Sequence, residues 1–345
     1  MRSVFFPGPS FVPQESIAAM SKEIVHHHSK EFSNVLTNIQ NSLKKIVKCS
    51  GNIFLLTGSG TTTAESIVDN FLVSIPTTQH LVCCNGRFSK RWAVLLQRKK
   101  FTVLTYDEEH GVSHSPSKLL EYLENNPSIS TVWFVHGETS TGVLNPIEKL
   151  VRIVKSFNPS ILCIVDAVSS IGTEYFYFDD WNIDIAFTSS CKGLISPAGL
   201  GCVFTKKEIL GKNDLRFSDS LGQNVVAQPW TPPIQLYYAF EHSLEMICNF
   251  GTDRYIQHVA DNKKYLCDLL SNNYITIFGE NSLHAVTVLA LPPRKNFLEI
   301  LNNEHAIKLI GAQDHLQSDY FRIGNFGFIE KSEIEQLVSI ISTYY

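Results

Sequence analysis

What this chain lacks narrows its class before any motif is considered. No two of its eight cysteines stand at C-x-x-C spacing, so neither a zinc site nor a thioredoxin-like redox pair is expected. No apolar run approaches the ~18 residues needed to span a bilayer, so no membrane partner is expected either. Charge of one sign does not dominate: the formal net charge is −4, which gives no electrostatic reason to expect nucleic acid. The first ten residues hold too short an apolar stretch for a secretory signal, and the last four carry no lipidation or peroxisomal address. A cytoplasmic protein without a disulfide framework is the expectation. Internal repeats and low-complexity segments are absent, and so is a dinucleotide fingerprint: Thr63 stands where a third glycine would be.

The chain has 345 residues, 44% of them hydrophobic, enough for a large core and a smaller companion domain. Short apolar strands at 53–56, 81–84, 101–105, 131–135, 161–165, 183–187 and 202–205 alternate with helical periodicity at 61–73, 92–96, 119–123 and 147–154. Continuous apolar strands between amphipathic helices predict an α/β fold with a mostly parallel sheet covered on both faces. Gln228, Pro229, Trp230, Thr231, Pro232 and Pro233 form a break. Beyond it come two helices at 234–247 and 252–270, strand-like runs at 275–278, 286–291 and 321–323, and a last helix at 331–341. This α+β rhythm predicts a second domain. The expected division is a large domain over 15–235 and a small C-terminal domain over 236–345 joined by 1–14.

Ligands in such sheets bind beyond the carboxyl ends of the strands, and the polar segments fall there. Gly58-Ser59-Gly60-Thr61 follows a strand and opens a helix. Backbone N–H groups at a helix start bind phosphate, and glycine lets it approach; a plain strand-to-helix turn capped by a hydroxyl would read the same. Asp166 ends a buried strand, where a carboxylate needs a partner: a pyridinium nitrogen, a metal or an arginine. Lys192 lies between an apolar strand and Gly193, and a partly buried lysine becomes a nucleophile toward carbonyl carbon. Taken singly each has a bland reading, as a cap, a turn or a loop cation. Together, a phosphate cradle, an acid at a strand end and a lysine 26 positions later (192 − 166) are the parts of a pyridoxal phosphate site.

With these residues in view the sequence resembles the class V aminotransferases, of the aspartate-aminotransferase-like fold (fold type I). The likeness runs through Pro7-Gly8-Pro9, His28-Ser29-Lys30-Glu31-Phe32, Thr57-Gly58-Ser59-Gly60-Thr61, Asn85-Gly86 with Phe88, and His136-Gly137-Glu138-Thr139-Ser140-Thr141-Gly142. It continues in Val165-Asp166-Ala167-Val168-Ser169-Ser170, Ser190-Cys191-Lys192-Gly193, Thr231-Pro232-Pro233 and Phe321-Arg322-Ile323-Gly324-Asn325. The resemblance implies that Lys192 holds pyridoxal 5'-phosphate as a Schiff base and shuttles the substrate proton, while Asp166 keeps the ring nitrogen protonated. It implies that Phe88 stacks on the ring, that Thr139 lies near the ring oxygen, and that Ser59, Gly60 and Thr61 cradle the phosphate. Thr231 would reach the phosphate of a neighbouring subunit, which implies a homodimer. Arg322 would grip the substrate's acidic group beside Gly8. No metal is implied. Two departures stand out: Cys191 replaces a Gln or Asn beside the lysine, and Gln228 replaces a Tyr, each a phosphate contact in relatives.

For the substrate, the stretches 135–147, 165–170 and 317–325 are closest to 2-aminoethylphosphonate–pyruvate aminotransferases. Residues 28–32 and 192–194 are closer to alanine– or serine–glyoxylate enzymes. A small amino donor, 2-aminoethylphosphonate first, and a 2-oxo acid such as pyruvate are expected in a ping-pong reaction. A cysteine-desulfurase-like lyase shares the fold but needs a late mobile cysteine, and no cysteine follows Cys267. A non-catalytic protein on this fold would be expected to have lost Lys192 or Asp166.

Overall fold

The computed structural model describes residues 5–72, 79–209, 231–280, 282–292 and 295–345. In chain order it opens with α1 (Gln14–Ala19), α2 (Lys30–Val47), β1 (Asn52–Gly58), α3 (Gly60–Ile67), β2 (Gln79–Cys84), α4 (Arg87–Arg98) and β3 (Thr102–Asp107). There follow α5 (Pro116–Asn125), β4 (Ile129–Val135), the short strands β5 (Gly137–Glu138) and β6 (Val143–Leu144), and α6 (Ile147–Phe157). Strands β7 (Leu162–Asp166), β8 (Ile185–Ser189) and β9 (Gly199–Thr205) complete a seven-stranded sheet of order β1-β9-β8-β7-β4-β2-β3. Every pairing from β8 to β3 is parallel. Strand β9 alone runs against both of its neighbours. The mostly parallel sheet expected from the apolar strands is therefore present.

Successive side chains on a strand point to opposite faces, and the two cores follow that rule. On β1, Ile53 and Leu55 join the core on one face, with α2, α5 and α6, while Phe54 and Leu56 join the core on the other, with α3 and α4. Burial on both faces is why these strands read as unbroken apolar runs. Helix α3 starts at Ser59, whose Oγ accepts from Thr62 N at 3.3 Å. The helical run expected to 73 ends as an α-helix at Ile67 and widens into a π-turn over Val68–Leu72. There the Asn70 side chain donates to Ser66 O at 2.7 Å, a side chain competing for the helical carbonyls.

After the break, α7 (Ile234–Phe250) and α8 (Thr252–Asn272) are separated by Gly251, whose φ of +98° suits glycine. A second sheet of order β10-β12-β11 is antiparallel throughout, from β10 (Val286–Ala290), β11 (Ile310–Gly311) and β12 (Tyr320–Gly324). Helices α9 (Phe297–His305) and α10 (Lys331–Ser342) pack on it. The run at 275–278 forms only a single bridge, Ile277 to Leu289, before the chain turns at Gly279 with φ +58°. Helix α7 buries Tyr237, Phe240 and Leu244 in the core of the large sheet, whereas Leu266 and Leu270 of α8 belong to the core of the small one. Packing thus changes hands within α8. Phe5 lies in the small-sheet core, and its carbonyl accepts from Gly324 N at 2.8 Å. Among the described residues no helix is long and apolar enough to cross a membrane.

Candidate active site

The carboxyl ends of β1, β2, β4, β7 and β8 converge, and each delivers one piece of chemistry. Beyond β8, Lys192 sits on a loop clamped to the turn after β7. A Cβ at Gly193 would come within 2.2 Å of Ile171 O, and one at Gly172 within 2.6 Å of Gly193 O. The N-terminal segment crosses this loop, with Ser10 N donating to Cys191 O at 2.8 Å. Lys192 Nζ donates to Pro7 O at 2.6 Å and lies 5.7 Å from the Phe326 ring centroid. Burial brings its ammonium down to about 8. Gly8 has φ +119°, and a Cβ there would fall 1.9 Å from Lys192 Nζ. The glycine is what lets the lysine lie against the backbone.

Asp166 ends β7 at 5% exposure. Its Oδ1 accepts from Val168 N at 2.9 Å and its Oδ2 from Trp92 Nε1 at 3.0 Å. Burial pushes its carboxyl up to about 7, the Glu138 charge adding to the rise while the two N–H donors oppose it. A buried carboxylate of this kind is offset by a cationic partner. Gly60, at the start of α3, lies against Val168: a Cβ would meet Val168 Cγ2 at 2.8 Å. Ser59, Gly60 and Thr61 thus form a backbone-lined helix start next to Asp166. Arg322, on β12 of the small sheet, is 3% exposed. Its Nε donates to Gly311 O at 3.2 Å and its Nη1 to Thr139 O at 3.4 Å. Burial lowers it to about 10.

Comparison with known proteins bears on what this cluster is. The family model for class V aminotransferases matches residues 5–295. The chain belongs to the class V aminotransferase family. It is 32% identical to a serine–glyoxylate aminotransferase of Methylorubrum extorquens, over 74% of this chain and 68% of that protein. It is 31% identical to an L-aspartate–glyoxylate aminotransferase of Paracoccus denitrificans, over 94% and 86%. The crystal structure of an alanine–glyoxylate aminotransferase from Nostoc sp. superposes with a TM-score of 0.91 at 26% identity, covering 99% of this chain and 95% of that one. The fold is that of the pyridoxal-phosphate-dependent transferases of fold type I, and the enzyme is a pyridoxal-phosphate-dependent transaminase.

The residues of this aminotransferase fit that cofactor. A buried amine near pKa 8 suits a carbonyl carbon, a buried carboxylate suits a ring nitrogen that must stay protonated, and a helix start with glycine suits a phosphate. Lys192, Asp166, Ser59, Gly60 and Thr61 could hold it. Phe88 is half-buried at the start of α4. Thr139 is buried, and its carbonyl already serves Arg322. Thr231 is exposed in the single protomer. Cys191 is half-buried beside Ser189 Oγ, at 3.8 Å. Gln228 lies outside the described residues.

Motif reading assigns no role to three further residues here, Arg91, Trp92 and Glu138, although Glu138 stands within one of the motifs. Arg91 Nη1 donates to Thr61 Oγ1 at 3.0 Å, and its guanidinium lies 4.9 Å from the Phe88 ring centroid. Trp92 carries the indole bound to Asp166. Phe88, Arg91 and Trp92 stand at i, i+3 and i+4, the spacing of one helix face, and that is the signal that could have found them. Glu138, fully buried, takes hydrogen bonds on Oε1 from Phe88 N, Ser140 N and Ser140 Oγ, and on Oε2 from Ser89 N and Ser89 Oγ. It fixes the start of α4, and with it all three residues of that face.

Proposed function

We propose that this enzyme moves the amino group of a small α-amino acid to glyoxylate in two half-reactions on one site. Arg322, a 3%-exposed guanidinium in the site of Lys192 and Asp166, suits the acidic group of a small substrate, carboxylate or phosphonate, and the choice of glyoxylate is carried by the relatives. Three relatives of different donor, serine, aspartate and alanine, share glyoxylate in their names, which supports that acceptor. Bound pyridoxal phosphate supplies the carbon that carries the amino group between half-reactions and a ring that spreads the charge left when the substrate α-proton departs.

The protein's own part is positioning and proton transfer. Arg322 orients the substrate carboxylate, with Gly8 leaving room beside it. Lys192 Nζ takes the proton from the substrate α-carbon, and its lowered pKa leaves a useful fraction of it neutral near pH 7. Asp166 holds a proton on the ring nitrogen. Phe88 would cover a face of the ring, Thr139 would serve its oxygen, and Ser59, Gly60 and Thr61 would hold the phosphate. Thr231 completes the phosphate site of a second copy, so the working unit is a homodimer.

A 2-aminoethylphosphonate donor with pyruvate, which residues 135–147, 165–170 and 317–325 favour, is the second reading. Such a donor has no α-carboxylate and would place its phosphonate on Arg322. A panel of alanine, serine, aspartate and 2-aminoethylphosphonate, each with glyoxylate or pyruvate, tests both. Glycine formed from glyoxylate at least ten times faster than alanine from pyruvate supports the first. Turnover with the phosphonate and pyruvate alone would replace it with the second.

A further inference from the structure

The donor's side chain is the part of this reaction left open, and a second guanidinium bears on it. Arg87 stands one residue before Phe88. Its backbone N–H donates to Ser140 Oγ at 2.9 Å, while Arg322 Nη1 donates to the carbonyl of the adjacent residue, Thr139, at 3.4 Å. The main chain of Arg87 and the side chain of Arg322 are therefore held by consecutive residues of one loop. They are near enough that the Arg87 charge, after burial, contributes to the lowered pKa of Arg322. Glu138, also on this loop, forms no ion pair with Arg87 among the described residues, since its oxygens accept from the N–H and O–H donors of 88, 89 and 140, although its charge opposes that of Arg87 at Arg322.

The Arg87 guanidinium instead meets Asp314 Oδ1 at 3.2 Å. Asp314 lies three residues after Gly311, whose carbonyl accepts from Arg322 Nε. It reaches that place from a left-handed backbone, φ +54°, unusual for a residue with a Cβ. Both side chains remain substantially exposed, at 47% and 39%. An exposed pair of this kind contributes little to stability and exchanges easily for another carboxylate. Asp314 is a carboxylate of the chain resting on a guanidinium at the edge of the substrate site.

We propose that Arg87 receives the second acidic group of the donor, so that the preferred donors are four- and five-carbon amino dicarboxylates. The α-carboxylate lies on Arg322, and the side-chain carboxylate takes the place of Asp314 on Arg87. The inference rests on the reading that Arg322 holds the donor's α-carboxylate. It accounts for an exposed arginine beside a buried one, and for an acid poised on it from the small-sheet side.

The test compares kcat/KM for aspartate and for alanine, both with glyoxylate, in wild type, Arg87→Ala, Arg87→Gln and Asp314→Asn. Wild type is expected to favour aspartate at least tenfold. Either Arg87 variant should lower the aspartate-to-alanine ratio at least tenfold, mainly through KM for aspartate; a merely structural arginine would lower both efficiencies and leave the ratio. Asp314→Asn should raise the ratio about threefold or more, by removing the competing carboxylate. In parallel, calorimetry on the holoenzyme should show maleate binding at least tenfold tighter than propionate in wild type, with the preference lost without Arg87. Turnover of alanine in preference to aspartate, or a ratio unmoved in the Arg87 variants, overturns the inference and leaves the glyoxylate reading standing. Absence of glycine from every donor overturns that reading instead, and the maleate preference then decides the role of Arg87 by itself.

Discussion

Glu138→Gln should be far more damaging than a one-atom change suggests, because the carboxylate faces donors only. Oε1 accepts from Phe88 N at 3.3 Å, Ser140 N at 3.1 Å and Ser140 Oγ at 2.6 Å; Oε2 accepts from Ser89 N at 2.9 Å and Ser89 Oγ at 3.1 Å. An amide placed with its oxygen on the first side aims its N–H2 at the Ser89 N–H. The Ser89 hydroxyl cannot rescue it, since that oxygen already accepts from Asn85 N and Gly86 N at 3.0 and 3.1 Å. Two buried donors are left facing each other, at ~1–3 kcal/mol each, so the loss is about 2–6 kcal/mol. At ~2 °C per kcal/mol for a large domain, the melting temperature of the cofactor-free protein should fall by roughly 4–12 °C. A second readout is electrostatic. Burial comes first in raising Asp166 to about 7, but the Glu138 charge adds to it. Neutralising Glu138 should therefore move the Asp166 titration to lower pH, as followed by its infrared carboxyl band. A melting temperature within 1 °C of wild type together with an unmoved Asp166 band would refute the reasoning.

Lys192 should govern cofactor uptake with a midpoint near pH 8 rather than at its usual value of 10.5: the neutral amine, and the uptake rate, falls ~tenfold per pH unit below it and levels off above. Borohydride-fixed cofactor should map to the peptide of Lys192, and a label on any other lysine would overturn the assignment. Arg91→Ala should weaken cofactor retention at least tenfold in equilibrium dialysis, since it removes the cation at Thr61; an unchanged dissociation constant would show that Arg91 only packs on Phe88. Sedimentation should give twice 38.8 kDa, and Thr231→Ala should release cofactor faster; a fully active monomer would contradict the shared site.

The sequence made some of this legible and hid the rest for physical reasons. Strand burial was readable because residues such as 53–56 are covered on both faces, so apolar character alone marks them. Lys192 and Asp166 were readable because a charged group at the end of an apolar strand must have a reason to be there. The run 275–278 has the same apolar signature yet meets β10 only briefly, through the Ile277–Leu289 bridge and the bonds Phe278 N to Val288 O and Ala290 N to Thr276 O, before the chain turns at Gly279. The hydrogen bonds of Glu138 to α4 were invisible because Phe88 and Ser89 lie about fifty positions earlier in the chain. The Pro7 carbonyl on Lys192 is separated from it by 185 positions. Motif spacing carries no information about contacts of that range. The periodic face of α4 did carry it, since 88, 91 and 92 align on any helix.

On the proposed assignment, that face would also make up for the cysteine at 191. Phe88 provides an aromatic plane, Arg91 reaches the hydroxyl of Thr61 in the cradle, and Trp92 donates to Asp166. With the cofactor held as proposed, this one helix would serve its ring, its phosphate and its ring nitrogen. Where relatives place an amide beside the lysine, Cys191 offers only a weak donor, and a guanidinium is the stronger substitute for an anion. A helix that carries three such contacts must have its start fixed in rotation. A 100° step between residues would turn Phe88 away if the first turn slipped by one. Glu138 prevents that slip by binding the N–H groups of both 88 and 89, where the helix dipole also favours a carboxylate.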